Sequence, residues 1–87
     1  LINNGAHDSV GGQPTVGFAV DFPAIALASG YRAARRVESL DALRAALDEL
    51  RGTDGPTLLE VRVQTGARAD LGRPTTTPVA IESLVIM

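Results

Sequence analysis

The sequence predicts an α/β domain, the second half of a doubly wound parallel sheet and an incomplete domain by itself. Two observations carry this. The elements run strand, loop, helix, strand, helix, strand from the first residue, and Thr57–Val63 shows clean period-two alternation. Strands linked through helices run parallel with right-handed crossovers.

Leu1-Ile2 reads as the end of a buried strand that passes straight into a turn. With no initiator Met before it, this start predicts a fragment, or a processed or nicked chain, that begins inside a domain. Residues 3–17 are rich in Asn, Gly, Asp and Ser, which favour turns and tolerate positive φ. The segment is predicted as a functional loop, with a helical turn near Ser9–Gly12. Asp21 caps a short helix over Phe22–Ser29, with Pro23 in the first turn, where no N–H is needed, and Gly30 as its stop. Tyr31–Val37 reads as a short strand, weakened by Arg32, Arg35 and Arg36.

Ser39 opens the clearest helix, with Asp41 in its first turn. Leu40, Leu43, Leu47 and Leu50 recur at helical spacing as one apolar stripe, Arg44, Asp48, Glu49 and Arg51 fall largely outside it, and Gly52 ends the helix. In the strand Thr57–Val63, Leu59, Val61 and Val63 share one face. Leu58 helps cover the other, with Glu60 and Arg62 expected nearer its rim. Residues 64–78 read as an extended polar tail interrupted by Pro74 and Pro78, and Val79–Met87 as a last helix or strand. The domain is assigned to residues 1–79, with 80–87 as an unassigned tail.

Composition narrows the classes of function. Hydrophobic residues make up 45% of the 87-residue chain, which suits one small globular domain rather than a disordered segment. All 8 basic residues are Arg and the net charge is -2, so no basic stripe points to nucleic acid. There is no Cys, which removes disulfides, thiolate catalysis and Cys-ligated zinc. No secretory leader is visible and no apolar run reaches the roughly 18 residues of a membrane span, so a cytoplasmic protein with no membrane partner is expected.

The chemistry-bearing residues gather at the start. Parallel α/β sheets bind ligands at the carboxyl ends of their strands, and Asn3–Asp8 follows such an end. Asn side chains offer neutral oxygens to a hard cation, and magnesium takes octahedral oxygen ligands, some of them from phosphates. A Gly-rich turn lets backbone groups approach a diphosphate closely.

Leu1-Ile2-Asn3-Asn4-Gly5 resembles the closing end of the thiamine-diphosphate motif, which opens with Gly-Asp-Gly and ends in Asn-Asn. The longer run Asn4-Gly5-Ala6-His7-Asp8-Ser9-Val10-Gly11-Gly12-Gln13 is similar to the phosphonopyruvate and sulfopyruvate decarboxylase group of that superfamily. So are Asp21-Phe22-Pro23, Gly55-Pro56-Thr57-Leu58-Leu59-Glu60-Val61 and Leu71-Gly72-Arg73-Pro74. The resemblance covers residues 1 to 79.

The resemblance implies the thiamine-diphosphate-binding fold, with thiamine diphosphate and Mg2+ as cofactors. It implies decarboxylation of 3-phosphonopyruvate to phosphonoacetaldehyde, with sulfopyruvate as the neighbouring possibility. It further implies that Asn4 and the Ala6 carbonyl bind the metal, and that Asn4, Gly5, Ala6 and His7 border the cofactor. The Gly-Asp-Gly carboxylate and the glutamate that meets the cofactor's pyrimidine ring lie outside this sequence. The expected partners are therefore a pyrimidine-binding domain or subunit, a 2-oxo acid with an anionic head, and further copies in a homo-oligomer. The isolated chain is not expected to be active.

Each residue also has a plainer reading. Asn3-Asn4-Gly5 alone is most often an ordinary turn. His7, the lone histidine and the candidate catalytic residue, is in most polar loops simply solvated. Asp8 and Ser9 read slightly better as a helix N-cap, although Ser9, like Gln13, is a candidate substrate contact. Arg32, Arg35 and Arg36 read as a solvated strand end or a subunit contact. Arg73, in a rigid extended tail, suits a phosphonate or carboxylate about as well as it suits a structural salt bridge. A non-catalytic α/β module for assembly or anion binding is the rival to the enzyme.

Overall fold

A computed structural model describes residues 1–72 and 75–79. Three parallel strands form the main sheet: β1 (Ile2–Asn3), β4 (Ala33–Val37) and β5 (Thr57–Arg62), in the order β1-β5-β4. A small antiparallel pair, β2 (Ala6–His7) with β3 (Gln13–Pro14), stands between β1 and helix α1 (Phe22–Ala28). Helix α2 (Leu40–Arg51) links β4 to β5. Through β5 the predicted helices and strands are present, with β4 starting two residues late and β5 and α1 each ending one residue early.

The last strand in sequence lies in the middle of the sheet. From β1 the chain crosses over β5's place to reach β4, then turns back to β5. Right-handed crossovers in opposite directions place their helices on opposite faces, which is the doubly wound arrangement. Two consecutive arginines of β4 report this directly, because neighbouring strand residues face opposite ways. Arg36 reaches Asp21, the N-cap of α1, at 3.3 Å. Arg35 turns the other way and pairs with Glu49 of α2. The arginine cluster is therefore distributed between two helices rather than left as a solvated strand end.

The helix starts follow the sequence. Asp21 Oδ1 accepts from the Ala24 N–H at 3.2 Å, and Ser39 Oγ accepts from the Ala42 N–H at 3.1 Å, each satisfying a first-turn donor. The expected leucine stripe of α2 is only half buried. Leu50 and Ala46 pack inward, whereas Leu40 and Leu47 stay exposed at 62% and 43%. A sheet of three strands supports a narrow arc of the helix, and Leu47 instead borders a shallow hollow with Leu1 and Leu59.

Two further expectations are corrected. Ile2 is 70% exposed, because β1 is an edge strand with β5 as its one neighbour in the described sheet. Glu60, placed at the rim by its alternation, is fully buried at 0% exposure. It sits mid-way along the central strand, where both flanks are covered. The core is otherwise small and aliphatic: Ala26, Ala34, Val37, Ala46 and Leu50. Residues 63–72 carry turns without helix or strand, as the polar tail predicted, and residues 80–87 lie outside the described residues.

Candidate functional site

Asn3 pairs in register with Arg62, so β1 and β5 end side by side and Asn4 emerges at the carboxyl edge of the sheet. Glu38 follows the end of β4 at the same edge. Together Asn4, Phe18, Glu38, Arg62, Val63, Gln64 and Thr65 line an open cleft of about 900 Å³. The fold thus brings all three strand ends to one cavity, the place where parallel sheets bind ligands.

The two asparagines have different surroundings. Asn3 is buried, and each of its side-chain atoms is engaged: Oδ1 accepts from the Gly5 N–H at 3.0 Å, while Nδ2 donates to Gly17 O at 2.8 Å and Glu60 Oε2 at 2.7 Å. Asn4 faces the cleft. Its Oδ1 accepts from the Ala6 N–H at 3.1 Å, and its Nδ2 lies 3.4 Å from Asp8 Oδ2. These are two successive turns in which an Asn side chain bonds the backbone two residues on. Gly5, at φ +69, supplies the left-handed residue between them, and a Cβ there would also stand 2.9 Å from the Phe18 ring.

Ala6 and His7 follow in the hairpin. The carbonyls of Gly5 and His7 accept from Thr15 and Gly12 on the returning chain. By strand alternation the intervening Ala6 carbonyl turns the other way, to the side on which its own N–H meets Asn4 Oδ1. Asn4 and Ala6 therefore direct two neutral oxygens to one side of the turn, and an amide oxygen bonded once retains acceptor capacity.

His7 is exposed and stands opposite Gln13 in the hairpin. Gln13 is exposed too, its side chain folded over Gly11. Ser9 lines a second hollow of about 520 Å³, with Asp8, Gly66, Ala67, Arg68, Leu71 and Gly72, and so sits apart from the Asn4 cleft. Asp8 does not cap the short 3-10 turn Asp8–Val10. Its carboxylate instead accepts from the Gly66 N–H at 2.7 Å, tying the loop after β5 to the loop after β1. Arg73 lies outside the described residues.

Glu60 is the residue that the sequence reading missed. Its Oε1 accepts from Arg36 Nε at 2.8 Å, and its Oε2 lies 3.4 Å from Arg62 Nε beside the Asn3 amide. Burial pushes its carboxyl upward. The hydrogen bonds from Asn3 and Arg36, the Arg36 charge and the bond from Arg62 outweigh burial and hold it below the ordinary value. Arg36 is raised in turn, first by its bond to Glu60. Arg62 also lies over the Phe18 ring, 4.9 Å from its centre, and donates to the Phe18 carbonyl at 3.1 Å. The available signal was a carboxylate in the middle of the most apolar strand, since acidic residues are seldom buried unpaired.

Residues 1–61 match the family model for the thiamine pyrophosphate enzyme C-terminal TPP binding domain. The chain belongs to that family. It is 48% identical over 81 residues to a phosphonopyruvate decarboxylase of Streptomyces viridochromogenes, covering 93% of this chain and 20% of that protein. It is 50% identical over 78 residues to a phosphonopyruvate decarboxylase of Streptomyces hygroscopicus, covering 90% of this chain and again 20% of the relative. The chain thus spans one fifth of the length of these relatives. No solved structure matches it. Thiamine pyrophosphate, or thiamine diphosphate, is the cofactor of this family, and the parallel α/β sheet agrees with its cofactor-binding domain. Among the described residues no helix is long and apolar enough to cross a membrane.

Proposed function

We propose that this chain is the magnesium- and diphosphate-binding part of a thiamine-diphosphate-dependent carboxy-lyase that converts 3-phosphonopyruvate to phosphonoacetaldehyde and CO2. The observation that carries the reading is the identity of about one half, over nine tenths of the chain, to two phosphonopyruvate decarboxylases. The position of Asn4 at the convergence of three strand ends supports it. Thiamine diphosphate, when bound, supplies the electron sink for loss of CO2 from a 2-oxo acid.

The chain's own residues have the following roles in this reading. Asn4 Oδ1 and the Ala6 carbonyl give Mg2+ two neutral ligands on one side of the turn. By the family resemblance, the remaining ligands would be phosphate oxygens, water and the carboxylate of the Gly-Asp-Gly motif. Gly5 lets the backbone approach the diphosphate closely. His7, exposed beside this turn, donates a hydrogen bond or a proton to the cofactor or to the anionic head of the substrate. Ser9, Gln13 and Arg73 are the further substrate contacts. A second domain or subunit meets the pyrimidine ring, and the working enzyme is a cytoplasmic homo-oligomer.

Turnover by the full-length protein tests this. Comparing CO2 release from phosphonopyruvate, sulfopyruvate and pyruvate, with and without thiamine diphosphate and Mg2+, should give cofactor-dependent preference for phosphonopyruvate. A preference for sulfopyruvate would move the assignment to the neighbouring activity. No turnover of any 2-oxo acid would leave a non-catalytic α/β module.

A further inference from the structure

The buried charge of the sheet is joined to the Asn4 turn by a continuous path of hydrogen bonds. Glu60 Oε2 holds Asn3 Nδ2 at 2.7 Å, and Asn3 Oδ1 holds the Gly5 N–H at 3.0 Å. Gly5 lies between Asn4 and Ala6, the two residues whose oxygens face one side of the turn. An amide side chain has two possible orientations, and this path selects one of them. With Glu60 ionised, only the NH2 group of Asn3 can face it. The Asn3 oxygen is then left to face Gly5, and the Gly17 carbonyl takes the second amide hydrogen at 2.8 Å. Asn3 is itself 7% exposed, so no water competes freely for these sites.

We propose that Glu60 is a positioning residue: acting through Asn3, it holds the Asn4–Ala6 turn in the geometry that receives Mg2+ and the diphosphate. This rests on the function proposed above. The ionised state of Glu60 is part of the device, because a carboxylate accepts on both oxygens. Arg36 takes Oε1 at 2.8 Å, and Oε2 accepts from Asn3 at 2.7 Å with Arg62 more distant on the same oxygen at 3.4 Å, so the charge is neutralised while the shorter bond on Oε2 fixes Asn3. A glutamine at this position has one accepting oxygen. Arg36 would draw that oxygen, and the NH2 group of the glutamine would then oppose the NH2 group of Asn3.

The test uses the full-length protein and four variants: Glu60→Gln, Asn3→Ala, the two combined and, as a stability control on the opposite face, Leu50→Ala. Two quantities are read. One is backbone hydrogen exchange at Gly5 and Ala6 relative to α2, measured without ligand. The other is the affinity for thiamine diphosphate as a function of Mg2+, measured by calorimetry well below the melting temperature. Both Glu60→Gln and Asn3→Ala should speed exchange at Gly5 and Ala6 by about tenfold more than in α2. Each should weaken magnesium-dependent affinity by about 10- to 100-fold, the usual effect of losing a group that orients a metal ligand. The double variant should be no worse than the weaker single one, because both act on one link. Leu50→Ala lies in α2 and should lower the melting temperature and speed exchange there, while leaving exchange at Gly5 and Ala6 and the cofactor affinity at wild-type values. If Glu60→Gln fails to fold, Asn3→Ala alone decides, since it breaks the link and leaves Glu60 its two arginines.

The proposal is overturned if turn exchange and affinity merely follow melting temperature across the variants, or stay at wild-type values in Asn3→Ala. It is also overturned if the two losses add in the double variant. Should the wild-type protein show no magnesium-dependent affinity for thiamine diphosphate, the proposed function falls, and the exchange comparison still decides whether Glu60 holds the turn.

Discussion

Asn3 and Glu60 stand 57 positions apart in the chain, and their side chains meet at 2.7 Å. The contact joins the edge strand β1 to the central strand β5. It also joins a polar turn to the most deeply buried residue described. A buried carboxylate is tolerated only when hydrogen bonds and opposite charge replace its water, and Asn3, Arg36 and Arg62 do so here.

Acid should unfold the protein partly through Glu60. Its folded-state pKa lies below the ordinary 4.5, so on acidification the unfolded chain takes up this proton first. Between those two values the unfolded state binds more protons, and stability rises with pH. The contribution is whole above the ordinary value and is lost as pH falls through the folded one. Chemical denaturation across an acidic pH series should show this slope, and Glu60→Gln should flatten it.

Adjacent arginines of β4 should differ in weight. Arg35→Ala removes an exposed pair with Glu49 and should change stability by about 1 kcal/mol or less, an effect further reduced by salt. Arg36→Ala leaves the buried Glu60 carboxylate without its 2.8 Å partner and should be clearly the more destabilising of the two. Denaturant midpoints of the two variants, compared at low and high salt, provide the check.

Gly17→Ala should disturb the site from outside it. A Cβ there would stand 2.7 Å from Asn3 Oδ1, the atom that receives the Gly5 N–H. Relief requires Asn3 to move, at a cost of about 1–3 kcal/mol. A melting-temperature drop together with weakened cofactor affinity is expected. Gly30→Ala loses only a favourable left-handed residue, since nothing lies within 4 Å of its Cβ position, and should lower stability while leaving affinity alone.

Asn4→Ala should show the opposite pattern. Asn4 is partly exposed and its side-chain bonds are local, to Ala6 and Asp8, so stability should fall by roughly 1 kcal/mol or less. Affinity for thiamine diphosphate should lose most of its magnesium dependence. Calorimetric titration over a range of Mg2+ concentrations measures it, and unchanged affinity would remove Asn4 from the metal site.

Local chemistry made much of this molecule legible in the sequence. Asp21 and Ser39 cap the two helices that they were expected to start, because a cap needs only the next three residues. The Asn3-Asn4-Gly5 turn was equally readable, since its two side-chain bonds each reach only two residues along the chain. The strand alternation of Thr57–Val63 correctly separated the two faces.

What alternation does not contain is what covers each face. Glu60 was assigned to a rim because its neighbours in sequence cannot say that β5 would lie between β1 and β4. That order is settled by crossovers spanning most of the chain. The same holds for Arg35 and Arg36, whose different partners follow from helices on opposite sides of the sheet. The sequence by itself determined the turn, the caps and the family. Asn4 was already the site candidate in the sequence, and only the tertiary structure decided that Asn3 beside it is a buried anchor. The physical reason is distance along the chain: the partner that separates their roles is Glu60, and only the folded sheet brings it to Asn3.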